Sequence, residues 1–207
     1  MPIAFKEWAV TVRALAEGEQ LITLRTGEMS ASEYSLKHNR FFLYPTFEHH
    51  ENTDLVRESH QPELRRALEE GVWADGEPPI HACEAGICQP ERVRVRAWAE
   101  VAAIYTVTDR RCIDNLAPFC VWSSDYAERR LAWNYQHPLH IILLRTHRIP
   151  RPVTVRAKEY EEDRDTWVDI QRDLSFEGTP VLCNEEFERA SAQISEAVSS
   201  APVLVTV

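Results

Sequence analysis

Apolar residues recur at helical spacing from the start of the chain: Phe5, Trp8, Ala9, Val12, Leu15 and Ala16 share one face, and Gly18 follows as a left-handed stop. The spacing predicts an N-terminal amphipathic helix. Short extended segments come next at 20–25, 34–37 and 40–44, with a polar turn around Gly27 and Ser30. Pro45 cannot donate to a sheet ladder, so pairing is expected to end there or to lie on an edge. A second helix is predicted from Pro62, at an early helical position, to Gly71.

The clearest periodicity is of two residues. Val93, Val95, Ala97, Ala99, Val101, Ala103, Tyr105 and Val107 alternate with Arg92, Arg94, Arg96, Trp98, Glu100, Ala102, Ile104 and Thr106. This predicts one long bent strand, or two in succession, with one face buried. Asp125 and Glu128 resemble a capping pair for a short helix at 126–133. The nearly continuous apolar run at 140–145 suits a central strand, Pro150 and Pro152 bracket a turn, and a further strand is expected at 153–156. Asn184 can cap a last helix with Phe187, Ala190, Ile194, Ala197 and Val198 in one stripe.

These elements predict an α+β fold with a mixed or mostly antiparallel sheet flanked by helices. Residues 1–207 are read as a single domain, with lobes 1–73 and 91–207 joined by a glycine- and proline-bearing loop at 74–90. The order of long strand, helix, central strand and proline turn also suggests a small barrel-like second lobe, by fold analogy alone.

Composition narrows the class. No apolar run approaches a membrane span, and the opening Met1-Pro2-Ile3 lacks a signal-peptide pattern, which predicts a soluble, cytoplasmic protein with no membrane partner. Five irregularly spaced cysteines argue against a disulfide framework, and Cys112 and Cys120 are read as buried, inert thiols. A net charge of -10 repels polyanions at long range, which leaves only a local basic groove for nucleic acid. Lys6, Lys37 and Lys158 are the only lysines among 23 cationic residues, so arginine carries the positive charge, and arginine forks onto carboxylate and phosphate.

Several chemistries are excluded or left open. Ala4, Ser35 and Arg156 stand two residues before the three lysines, so the carboxylate-x-lysine pattern of a restriction-type nuclease is absent. Glycines at 18, 27, 71, 76, 86 and 178 are too scattered for a phosphate-binding loop or dinucleotide fingerprint. His81, Cys83 and Cys88 offer three zinc-type ligands without an apparent fourth. His49 and His50, with His60 and Glu48 or Glu51, suit metal binding or proton transfer, or form an ordinary surface turn. Trp122, Tyr126, Arg129, Arg130 and Trp133 suit either a base-stacking, phosphate-clamping face or a core-anchoring aromatic helix. Arg92, Arg94 and Arg96 suit either a nucleic-acid groove or pairing with some of the 33 acidic residues.

Phe5-Lys-Glu-Trp-Ala, Leu24-Arg25-x-Gly27, Arg40-Phe-Phe-Leu-Tyr-Pro-Thr with His49, Val121-Trp-Ser with Tyr126 and Arg130-Leu, and Pro138-Leu before Leu143-Leu-Arg145 together resemble the bacterial domain-of-unknown-function family 1802, from about Phe5 to Ile170. The resemblance implies no established reaction. The chain departs from the family's pattern at Arg25-Thr26-Gly27-Glu28, where a more basic, glycine-richer turn is expected, and at His49-His50 in place of His-Gln.

The leading expectation is a binding module for a phosphate-bearing ligand, a nucleotide or a nucleic-acid end. Its site would gather Arg25, Arg40, Tyr44, His49, Trp122, Tyr126, Arg130 and Arg145, with no cofactor. The alternatives are a phosphoester hydrolase using Glu7, Glu48 or His49 around a divalent metal, and a structural or partner-docking protein without a small-molecule site.

Overall fold

The computed structural model describes residues 2–26, 38–47, 54–73, 90–129, 131, 138–157 and 166–199. Among these, eight strands form one mixed sheet: β1 (Ile3–Trp8), β2 (Ile22–Thr26), β3 (Arg40–Thr46), β4 (Gly71–Val72), β5 (Arg92–Val107), β6 (Leu139–Arg156), β7 (Trp167–Asp169) and β8 (Thr179–Pro180). The order is β2-β6-β5-β3-β1-β7, with β4 added to β5 and β8 to β6. Only the β1–β3 pair is parallel. Strands from both sides of 74–90 thus share one sheet.

Five helices flank it: α1 (Ala9–Glu17), α2 (Gln61–Ala67), α3 (Arg110–Leu116), α4 (Tyr126–Arg129) and α5 (Asn184–Ser199). The fold is α+β, as the patterning indicates. The sheet does not close into a barrel. Its outer strands are β2 and β7, and what joins β1 to β2 across the concave face is a side-chain contact, Arg25 with Glu7, rather than a backbone ladder.

The expected N-terminal helix divides in two. Residues up to Trp8 are strand because β1 is paired on both sides, by β3 and β7, and buried on both faces. A strand buried this way shows no alternation, and its apolar residues merge with the helical pattern that follows. Gly18 ends α1 with φ 81°, its backbone N–H reaching the carbonyls of the last turn.

Pro45 meets the edge alternative, whereas the turn expected at Pro150 and Pro152 does not form. Pairing continues past Pro45 through Glu7↔Pro45 and Trp8↔Thr46. β5 accompanies β3 only at Arg40, Phe41 and Phe42, so Pro45 interrupts no ladder on that side. The predicted turn at Pro150 and Pro152 is instead a bulge within β6: Arg148 pairs with Ala97 and Val153 with Val95, which leaves residues 149–152 opposite Arg96 alone.

The concave face gathers Phe5, Phe41, Leu43, Ala97, Ala99, Ile142 and Leu144 against Val12, Leu15 and Ala16 of α1. On the opposite face α3 and α5 pack together, tied by Asn115 Nδ2 to the Ala197 carbonyl at 3.1 Å. Asp109 caps α3 by accepting from the Arg111 N–H at 2.9 Å. The N-terminus of α5 is closed by Glu186, whose carboxylate accepts from the Cys183 N–H at 3.0 Å. Asn184, the expected cap, instead accepts a hydrogen bond from Arg145.

Candidate anion-binding face

Strand register determines which of the expected arginines meet. Arg40 of β3 lies opposite Glu100 of β5, and Glu100 lies opposite Arg145 of β6, so two guanidinium side chains flank one carboxylate in a single cross-strand row. Arg40 Nη2 donates to both Glu100 oxygens at 3.3 Å, and the two side chains are 49% and 35% exposed. An ion pair so open to water contributes about 0–1 kcal/mol and exchanges readily. Arg145 is held more firmly, bonded to Asn184 Oδ1 and resting 4.7 Å from the Phe187 ring centre.

The adjacent row is aromatic. Phe42, Trp98 and His147 are successive cross-strand neighbours, and Pro180 of β8 follows. The Trp98 and His147 rings stack in parallel with centres 3.9 Å apart. Phe176 caps this row, lying over Phe42 at 4.8 Å and meeting Trp98 edge-on at 5.4 Å. The segment carrying Phe176 is pinned by Trp98 Nε1 donating to the Glu177 carbonyl at 3.1 Å. Burial first, then the Arg145 guanidinium, lowers the His147 pKa, with Glu100 opposing. Among the described residues the buried His147 Nε2 has no hydrogen-bond partner.

Arg25 occupies the other face. Its position opposite His140 places it with Ile142 and Leu144 rather than with Arg145. There Nη1 donates to Glu7 Oε2 at 2.8 Å and Nη2 to the Lys6 carbonyl at 2.7 Å, with the guanidinium 4.2 Å from the Phe5 ring centre. Glu7, 4% exposed, also accepts from the Thr23 hydroxyl and from the Trp8 N–H. His140 lies beside this group, Nδ1 3.1 Å from the Thr106 hydroxyl.

Trp122 and Tyr126 are each 2% exposed and stack on one another at 4.6 Å. Trp8 meets Tyr126 edge-on, and Trp122 Nε1 donates to Thr11 at 2.9 Å, so their rings form a packed layer behind α1. Tyr44 is buried as well. His49, Glu48, Arg130, His81, Cys83 and Cys88 lie outside the described residues.

Elsewhere charge is arranged for structure. Glu70 is fully buried between Arg96 at 2.8 Å and Arg13 at 3.3 Å, and burial raises its pKa against the pull of both guanidinium groups. Glu17, Glu19 and Glu63 bring carboxylate oxygens within 4.8 Å of one another, but Arg13 runs between them, 3.0 Å from Glu17 and 3.7 Å from Glu63. Burial, then the Glu63 and Glu17 charges, raises the Glu19 pKa. Cys112 and Cys120 are buried with raised thiol pKa values, desolvation being the main cause in each.

Trp98 and His147 were not among the expected site residues. Trp98 had a signal: it is an aromatic ring in the charged half of the β5 alternation, between Arg96 and Glu100. His147 had none, because its pairing depends on β6 running beyond residue 145.

The molecule is therefore an α+β protein with an open mixed sheet, whose outer face carries a guanidinium row beside an aromatic one. The family model described as "Domain of unknown function (DUF1802)" matches residues 4–193, and the chain belongs to that family. No curated protein and no solved structure matches it. Among the described residues no helix is long and apolar enough to cross a membrane.

Proposed function

We propose that the protein is a binding module for a phosphate-bearing ligand, a nucleotide or a nucleic-acid end, held on the outer face of the sheet. The observation that carries this reading is the cross-strand row of Arg40, Glu100 and Arg145 beside the Trp98–His147 stack. Two guanidinium groups from strands distant in sequence converge there. The carboxylate between them is an exposed, weakly held internal counterion that a phosphate can displace, because a doubly charged phosphate forms stronger forked bonds with arginine. Asn184 and Phe187 orient Arg145 in advance, which lowers the entropy lost on binding.

Binding suits the face better than hydrolysis. Glu7, the described carboxylate expected for the metal reading, is buried on the other face and already accepts from Thr23, Arg25 and the Trp8 backbone. The test is a thermal-shift screen of nucleoside mono- and triphosphates, pyrophosphate and short oligonucleotides. A ligand at a hundred times its Kd stabilises the fold by about 2.7 kcal/mol, and this gain should vanish in Arg40→Ala. No shift with any of these probes at saturating concentration contradicts the reading.

A further inference from the structure

The distal ends of β5 and β6 set like charges against each other. Arg92 lies directly opposite Arg156, with Arg94 opposite Thr154 as the next pair on the same side. The alternate residues Val93, Val95, Val153 and Val155 pack on the hydrophobic core. Arg92 and Arg156 are both exposed, and neither makes an ion pair among the described residues. Like charges directly opposed across an antiparallel pair are destabilising. Among the described residues no ion pair supplies these two arginines with a counterion. An external anion supplies one.

Along β5, Arg92, Arg94, Arg96, Trp98 and Glu100 all alternate with buried residues. Arg96 is committed to Glu70, which Arg94 also neighbours, and the register shift between Val95 and Ala97 separates Arg92 and Arg94 from the Arg40–Glu100–Arg145 row. Successive alternate positions of a strand stand about 6.8 Å apart, so Arg92 and Arg94 offer two cations at that repeat beyond the shift. We infer that the β5–β6 ribbon is a track for the phosphate backbone of a single nucleic-acid strand, contacted by Arg92, Arg94 and Arg156. The inference goes beyond the proposed function: it adds a contact region for a phosphate-bearing polymer that the β5–β6 register shift separates from the Arg40–Glu100–Arg145 row. A covalent chain of evenly repeated charges suits the ribbon better than an acidic peptide, whose carboxylates are spaced by side chains of variable reach.

The test is fluorescence anisotropy of a labelled short single-stranded oligonucleotide over a series of salt concentrations, with wild type and Arg92→Ser/Arg156→Ser. Removing the opposed pair should leave the melting temperature unchanged or higher, so lost binding is not lost folding. The salt slope should fall by about 1.4 for the two phosphate contacts removed, with weaker binding at every salt concentration. Stabilisation by a mononucleotide should persist in this variant and disappear in Arg40→Ala. An unchanged slope, no oligonucleotide binding by wild type, or equal binding of poly-glutamate through the same arginines overturns the inference. Oligonucleotide binding through Arg92 and Arg156 without any mononucleotide effect would uphold the track and defeat only the nucleotide-end reading.

Discussion

Two arginine–glutamate sets stand on opposite faces of one sheet, and burial gives them different work. On the concave face the Glu7 and Arg25 side chains are 2% and 15% exposed and span 2.8 Å, with Thr23 and backbone groups satisfying the remaining bonding capacity. On the outer face Arg40 and Glu100 meet at 3.3 Å in the open. A carboxylate taken out of water needs its partners, and losing one strands an uncompensated charge. An exposed pair loses little when parted. The inner set thus holds β1 to β2, and the outer set can part at little cost to the fold.

Glu7→Ala should have the largest effect, since it leaves Arg25 without its carboxylate beside the Phe5 ring. The expected loss is about 3–5 kcal/mol in urea unfolding, and a loss below about 1 kcal/mol would remove the distinction between the faces. Gly178→Ala comes next. A Cβ there would lie 2.3 Å from the Arg148 carbonyl oxygen, so the segment bearing Phe176 must shift away from the sheet. About 1–3 kcal/mol should be lost, with Trp98 fluorescence changing as its cover moves.

A smaller effect depends on pH. His147 has a folded pKa below its ordinary 6.5, so the folded state holds the neutral ring more tightly than the unfolded chain does. Stability should be complete above pH 6.5, decline as pH falls through 6.5, and level off below the folded value. His147→Gln should flatten that part of the profile, and an unchanged profile would show that the stacked ring is not the group responsible. The smallest stability effect is expected for Arg40→Ala, under about 1 kcal/mol by chemical denaturation, although the same change should abolish ligand binding.

Much of the fold could be read from patterning. The β5 alternation gave its extent to within a residue at each end, and the stripe of Phe187, Ala190, Ile194, Ala197 and Val198 packs as drawn. β1 was hidden because burial on both faces erases the period of two, and the length of β6 was hidden because a bulge absorbs Pro150 and Pro152. The candidate site was legible as residue types rather than as neighbours. Arg40 and Arg145 meet because β5 runs between β3 and β6, and Arg25 is turned away because it pairs with His140 instead of an odd-numbered position on β6. One residue of register decides the face, and apolar runs without alternation do not encode it.

The most direct measurement is calorimetric titration of pyrophosphate into wild type, Arg40→Ala and Glu100→Gln. Displacement of Glu100 by the ligand requires that Glu100→Gln bind several-fold more tightly than wild type while Arg40→Ala binds negligibly. Equal affinities for all three proteins, or weaker binding by Glu100→Gln, would contradict a phosphate site on the outer row.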